Sequence, residues 1–204
     1  MDSEALFSGW LDQHQITYQR NFKVDPGDVD FLIRSTTPHI YCDVKEVRDS
    51  KQASLWEIDA YTHIRGDIRN VRRKFRKRPD LPLILVTMNF SSRFFTGLTV
   101  ATALLGDVGV QLNRRSLQVT KALHHLPRGN AVLTRKQRRS ITGVLVFTGL
   151  GAKYTLYVNP FYEPFSGEAW FPETDVIRLN REAEAEDLLA LSDRRFPPIL
   201  RDET

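Results

Sequence analysis

The alternation of hydrophobic and polar positions predicts the elements of the first half of the chain. Apolar residues at helical spacing follow Ser3 and predict a first helix that Ser3 caps. Period-two alternation then predicts three strands, at 16–24, 29–33 and 39–47. Because short polar links join these strands, we expect them to form an antiparallel meander.

A longer helical pattern and a buried strand follow the meander. Ile64, Ile68, Val71 and Phe75 step by four, three and four, which predicts one buried face of a helix over about 54–78. The apolar run "LPLILVTMN" predicts a fully buried strand, parallel to a neighbour. Beyond residue 90 the pattern predicts helices near 97–105, 116–125 and 181–191, and a hairpin of 141–147 with 154–158.

Composition narrows the class of protein. With 204 residues, of which 41% are hydrophobic and 26% charged, the chain has the balance of an ordinary folded domain. Its lone cysteine excludes a disulfide framework, and no apolar run reaches the roughly 18 residues of a membrane span. We expect one α/β domain, 1–204, in the cytoplasm.

The charge is concentrated in one place. The segment "RGDIRNVRRKFRKR", 65–78, holds eight basic side chains and one acid, whereas the whole chain carries a net charge of only +4. A concentration of this kind attracts a polyanion, and nucleic acid is the default partner. A solvated helix face is the alternative reading of the same segment.

Two strands carry charges inside apolar surroundings. In "YCDVKEV", 41–47, Asp43 and Lys45 are two residues apart and therefore share a face. In "VDFLI", 29–33, Val29, Phe31 and Ile33 are expected on one face and Asp30 on the other. If the strands are neighbours, these carboxylates converge beside a lysine and offer the hard oxygen ligands that suit Mg²⁺ or Mn²⁺. A structural ion pair is the alternative, and Asp28, after "DPG", is expected to be a turn residue.

An acid in one strand followed by Asp-x-Lys in the next resembles the PD-(D/E)xK nuclease superfamily, which has the restriction-endonuclease-like fold. The resemblance rests on Asp30, Asp43 and Lys45, and on the order helix, three antiparallel strands, helix, strand. It implies an α/β fold with a mixed central sheet flanked by helices, a catalytic core over about 3–89, and a C-terminal elaboration over 90–204. By that resemblance Asp30 and Asp43 are metal ligands, Lys45 is the water-positioning base or charge stabiliser, and Glu4 is an auxiliary ligand or orienter.

The basic segment supplies the candidate nucleic-acid contacts. Arginines recur at helical spacing beside the apolar face of the predicted helix. They would lie along the rim of the cleft that contains the candidate carboxylates. The candidates are Arg65, Arg69, Arg72, Arg73 and Arg76.

Together these observations predict a Mg²⁺- or Mn²⁺-dependent phosphodiester hydrolase, a nuclease acting on DNA. One alternative is a nucleic-acid-binding protein of the same fold that does not cut. Another is a metal-independent regulatory or assembly protein whose basic face binds a different acidic partner. RNA is the alternative substrate, and cleavage of both strands of a duplex would favour a homodimer.

Overall fold

The computed structural model describes most of the chain, with gaps. The described residues are 2–25, 27–48, 60–75, 82–90, 95–113, 115–116, 119–125, 141–147, 154–160, 171–172, 174–180, 182, 185–196 and 199. Within these ranges the chain forms a mixed α/β structure. Its helices are α1 (Ser3–Gln13), α2 (Ala60–Lys74), α3 (Gly97–Leu105) and α4 (Ala185–Asp193).

Seven of the described strands form one sheet in the order β1-β2-β3-β4-β8-β9-β10. These strands are β1 (Tyr18–Val24), β2 (Gly27–Ile33), β3 (Ile40–Val47), β4 (Leu83–Asn89), β8 (Gly143–Phe147), β9 (Tyr154–Val158) and β10 (Thr174–Arg178). Two further pairs of strands lie apart from this sheet. They are β5 (Phe95–Thr96) with β11 (Arg195–Phe196), and β6 (Val108–Leu112) with β7 (Val119–His125).

The pairing confirms the predicted meander and the predicted parallel strand. β1 pairs antiparallel with β2, and β2 with β3, while β4 runs parallel to both β3 and β8. Every residue of β4 is buried, as expected for a parallel strand covered on both faces. β8 and β9 pair antiparallel, as the predicted hairpin requires.

Two apolar clusters cover the two faces of the sheet. On one face, α1 packs Phe7, Trp10 and Leu11 against β2, β3 and β4. On the other face, α2 and α3 pack against the same strands, and the predicted stripe from Ile64 to Phe75 is buried there. The central sheet is therefore sandwiched between α1 and the pair α2 and α3.

Several expectations are wrong in detail. The pattern over 116–125 predicts a helix, but 119–125 forms β7, because its pairing with β6 overrides the local pattern. Asp2 caps α1 in place of Ser3, accepting a hydrogen bond from the Ala5 amide at 2.6 Å. The predicted ends of the second helix, 54–59 and 76–78, lie outside the described residues.

Val29 also differs from the expectation that it shares a face with Phe31 and Ile33. Val29 packs in the cluster under α2, whereas Phe31 packs in the cluster under α1. The β1–β2 ladder pairs Phe31 and Val29 but skips the step between them, where Asn21 of β1 has a φ of 49°. The expected alternation of β2 therefore breaks between Val29 and Phe31, next to this residue of β1. Within the described part of the chain, no helix is long and apolar enough to cross a membrane.

Candidate active site

The candidate site lies where β2 and β3 separate. Their ladder runs from Ile33 opposite Ile40 to Phe31 opposite Cys42, and Asp30 is the next residue of β2. At that point the Asp30 side chain continues the pairing, because its Oδ2 accepts a hydrogen bond from the Val44 amide at 2.6 Å. The end of the ladder therefore fixes the Asp30 carboxylate against β3.

Asp43 and Lys45 meet Asp30 on the α2 side of the sheet. Lys45 Nζ lies 3.0 Å from Asp43 Oδ2 and 3.7 Å from Asp30 Oδ2. Because both oxygens lie so close to one nitrogen, the two carboxylates are less than about 8 Å apart, the separation beyond which they could not bind one ion. The prediction that adjacent antiparallel strands bring these carboxylates to the same side is confirmed. We call Asp30, Asp43 and Lys45 the Asp–Lys cluster.

Burial differs sharply within the Asp–Lys cluster. The Asp43 side chain is 2% exposed, whereas those of Asp30 and Lys45 are 22% and 32% exposed. Asp43 Oδ1 is buried and has no hydrogen-bond partner among the described residues. A buried carboxylate oxygen without a hydrogen bond is costly, so this oxygen of Asp43 needs positive charge close to it.

The charged groups of the cluster shift each other's pKa values. Burial raises the pKa of Asp30, the negative charge of Asp43 raises it further, and the Val44 amide and Lys45 oppose the rise. For Lys45, burial acts to lower the pKa, but the carboxylates of Asp43 and Asp30 outweigh it and the pKa is raised. Lys45 therefore stays an ammonium at neutral pH.

Glu4 belongs to α1 and is linked to the cluster by a weak effect of its charge on Asp30. Its Oε2 accepts a hydrogen bond from Arg20 at 3.0 Å, and both side chains are more than a third exposed. Its charge contributes the smallest of the five effects on the pKa of Asp30. The structure thus joins Glu4 to Arg20, and its role as an auxiliary ligand stays a prediction.

Asp67 of α2 is a third carboxylate near the cluster that the sequence pattern does not single out. Burial raises its pKa to about 6, Lys45 and His63 lower it, and Asp43 adds to the rise. In the sequence it stands only as the one acid of a basic segment. Its spacing is the available signal, because Asp67 lies three residues after Ile64 and four before Val71, on the buried side of the helix.

Lys74, the last residue of α2, also reaches the cluster. Its Nζ lies 3.5 Å from Asp43 Oδ1 and 3.1 Å from Asp28 Oδ1. Asp28 was expected to be a turn residue, but it lies in β2 opposite Lys23. Lys74 is the first cause of the lowered pKa of Asp28, whose side chain is 69% exposed.

The arginines of α2 divide into two groups. Arg65 was expected along the rim of the cleft, and that expectation is wrong. Its side chain is 5% exposed and its guanidinium lies 2.6 Å from Asp107 Oδ1 and 2.8 Å from the Thr102 carbonyl. Arg65 therefore ties α2 to the end of α3.

The other candidate arginines differ in exposure, and their role as phosphate contacts stays a prediction. Arg69 and Arg73 are exposed, and Arg72 is half-buried, with a pKa lowered by burial and by the charge of Arg69. Arg76 lies outside the described residues. A cavity of about 340 Å³ joins this helix to the cluster, lined by Asp43, Lys45, Asn70, Val71, Arg73 and Lys74.

The ligands that the cluster offers can be compared with those that a divalent cation uses. Within the described ranges, no group of three or more His, Cys, Asp and Glu side chains is placed to hold a metal. Mg²⁺ is commonly held by one or two carboxylates while it keeps several waters. Two carboxylates, one of them with a buried oxygen that lacks a hydrogen bond, therefore fit Mg²⁺ or Mn²⁺ chemically.

Comparisons with protein-family models, with curated proteins and with solved structures find no match to this chain.

Proposed function

We propose that this chain is a metal-dependent phosphodiester hydrolase, a nuclease acting on DNA, with the restriction-endonuclease-like fold. The observation that carries the proposal is the Asp–Lys cluster. In this cluster Lys45 contacts both buried Asp43 and Asp30, at the point where β2 and β3 separate. The element order supports it: α1, three antiparallel strands, α2, and β4 parallel to β3. This order is the one that the PD-(D/E)xK resemblance implies.

Each member of the cluster has a role in this proposal. Asp30 and Asp43 hold the cation, with Asp43 offering its buried Oδ1. Bound Mg²⁺ would supply a water of lowered pKa and positive charge for the phosphate oxygens. In the metal-free protein Asp43 and Asp30 raise the pKa of Lys45, and we assign Lys45 to orienting the attacking water and stabilising negative charge on phosphorus.

The exposed arginines of α2 are suited to binding an anionic substrate. Exposed Arg73 lines the cavity that contains Asp43 and Lys45, and exposed Arg69 lies four residues, about one turn, before it on the same helix. Phosphate contacts from these arginines would hold a nucleic acid in register with the cluster without reading its sequence.

A second candidate is a nucleic-acid-binding protein that does not cut. The observation that favours it is that both oxygens of Asp43 already face ammonium groups, Lys45 at 3.0 Å and Lys74 at 3.5 Å. A carboxylate neutralised in this way can remain buried without a metal.

A cleavage assay separates the two candidates. Wild-type protein should cut DNA with Mg²⁺ or Mn²⁺ and stop when EDTA is added, and Asp43→Asn should not cut. Asp193→Asn, which changes an exposed aspartate of α4, should cut like wild type. If wild-type protein binds both DNA and Mn²⁺ and never cuts, the binding protein is the correct reading.

A further inference from the structure

The side chain of Lys74 is closely packed where it passes beside Asp43. A Cβ on Gly27 would lie 2.9 Å from Lys74 Cγ and 3.1 Å from its Cε, so only a glycine leaves room for this lysine stem. The ammonium also lies 5.3 Å from the centre of the Phe75 ring. The path of the side chain over β2 is therefore shaped by its surroundings, although Lys74 is 31% exposed.

The contact of Lys74 with Asp43 neutralises charge without a hydrogen bond. At 3.5 Å the separation from Oδ1 exceeds the roughly 2.7–2.9 Å of a charge-assisted hydrogen bond. By contrast, Lys45 lies at 3.0 Å from the other oxygen. The Asp43 oxygen that a cation would use is thus the one that Lys74 faces at longer range.

Asp28 gives the same ammonium a second partner. Asp28 Oδ1 lies 3.1 Å from Lys74 Nζ, closer than Asp43 Oδ1, and Asp28 is largely exposed. A small rotation of the lysine end toward Asp28 would move the charge outward to solvent. The ammonium can therefore leave Asp43 without losing its ion pair.

We propose that Lys74 is a built-in competitor of the divalent cation, facing Oδ1 of Asp43 in the metal-free protein and keeping only its contact with Asp28 when the cation binds. This inference rests on the metal site of the proposed function. Two positive charges beside the same carboxylate oxygen repel each other, so each cation lowers the affinity for the other. Lys74 and Asp28 would then set the metal concentration at which the site fills.

Three substitutions in the 204-residue chain separate this role from general electrostatics. Lys74→Met keeps the aliphatic stem and removes the charge, so Mn²⁺ should bind about tenfold more tightly or better. Gly27→Ala should act in the same direction, because its methyl group displaces the stem. Asp28→Asn should weaken Mn²⁺ binding, because Lys74 loses its alternative partner. Lys23→Met is the matched control, since it removes an exposed positive charge opposite Asp28 in β1.

Mn²⁺ binding is measured in the absence of nucleic acid, by calorimetry and by the paramagnetic resonance signal of free Mn²⁺. Tighter binding in Lys74→Met and Gly27→Ala, weaker binding in Asp28→Asn and a small change in Lys23→Met would support the competition. If wild type binds Mn²⁺ and Lys74→Met matches Lys23→Met, Lys74 does not compete, although the metal site stands. If no variant binds Mn²⁺ at millimolar concentration, the metal site and the competition are both wrong.

Discussion

Lys45 shows how the surroundings of one residue choose between two chemical roles. An Asp-x-Lys pattern is compatible with a lysine that takes a proton or with one that only carries charge. Burial alone would favour the neutral amine, but Asp43 and Asp30 together raise the pKa of Lys45. The distances of 3.0 and 3.7 Å to these carboxylates therefore favour the charged role.

Lys45→Met tests that role. We expect the variant to bind Mn²⁺, because Asp30 and Asp43 are unchanged, and to lose turnover by about 10²-fold or more through the missing charge at the phosphate. Single-turnover cleavage at saturating DNA measures the loss, and calorimetry measures Mn²⁺ binding. An unchanged cleavage rate would remove Lys45 from the mechanism.

Asp67 makes stability depend on pH in an unusual direction. Its pKa in the folded protein, about 6, lies above the ordinary value of 3.8, so between these values the folded state holds a proton that the unfolded state releases. Stability from this group is therefore present at about pH 4 and is lost as the pH rises through 6.

The measurement for Asp67 is urea unfolding of metal-free protein at several pH values. Asp67→Asn should gain stability relative to wild type between pH 4 and 7, by on the order of 1–3 kcal/mol, since one pKa unit corresponds to about 1.4 kcal/mol. Asp28→Asn should show no such gain, because the pKa of Asp28 is lowered by Lys74. A difference between Asp67→Asn and wild type that does not change with pH would mean that Asp67 titrates normally.

At the scale of elements, the strands are easier to predict than the faces of α2. β3 and the Phe31–Ile33 part of β2 follow the predicted pattern, so their pairing and the convergence of Asp30 with Asp43 follow from the sequence. In α2, polar residues adjoin both sides of the buried stripe, so helical spacing alone does not tell a buried charge from an exposed one. For this reason the sequence misplaces Arg65 and does not single out Asp67 and Lys74.

Tertiary partners account for the other errors. Nothing local in 119–125 specifies that β6 is its neighbour, and the position of β8 beside β4 depends on contacts across more than fifty residues. Val29 lies on the α2 face, so the alternation of β2 breaks beside the step where Asn21 of β1 has a positive φ. Period-two alternation does not predict such a break within a strand.

The Arg65–Asp107 contact predicts a structural role for one arginine of α2. Asp107→Ala should lower the free energy of unfolding by about 2–4 kcal/mol, because it leaves the buried Arg65 guanidinium without this carboxylate. Arg65→Met should cost less, because it removes the charge and keeps an apolar side chain of similar length. Arg69→Met, at an exposed position of the same helix, should change stability by no more than about 0.5 kcal/mol.

Urea denaturation of the three variants gives these energies directly. Equal, small effects in all three would mean that Arg65 is not held in the α2–α3 contact. Arg65 would then return to the set of candidate phosphate contacts.

At the scale of the whole molecule, the basic face of α2 and the acidic Asp–Lys cluster lie on the same side of the sheet. Exposed Arg69 and Arg73 belong to the helix that covers Asp43 and Lys45. The proposed function therefore assigns binding of the polyanion and its cleavage to different residues of one surface. Substitutions should affect binding and cleavage separately.

Replacing both Arg69 and Arg73 with glutamine should weaken DNA binding with little regard to sequence. The slope of affinity against salt should flatten by roughly one unit for each phosphate that the variant no longer binds. The matched control is Arg115→Gln with Arg195→Gln, which removes the same charge at exposed positions outside α2. Fluorescence anisotropy over a salt series compares DNA binding by the two double variants. If both lose the same affinity, Arg69 and Arg73 contribute only the general attraction between positive charge and DNA.

The central claim is that Asp30 and Asp43 together hold a divalent cation. Anomalous diffraction from a crystal soaked with Mn²⁺ tests it most directly. We expect one peak about 2.0–2.6 Å from a carboxylate oxygen of Asp30 and from Asp43 Oδ1, and no peak there in Asp43→Asn. A wild-type crystal with Mn²⁺ bound elsewhere, or with Lys74 still beside Asp43 and no peak between the two aspartates, would contradict the account.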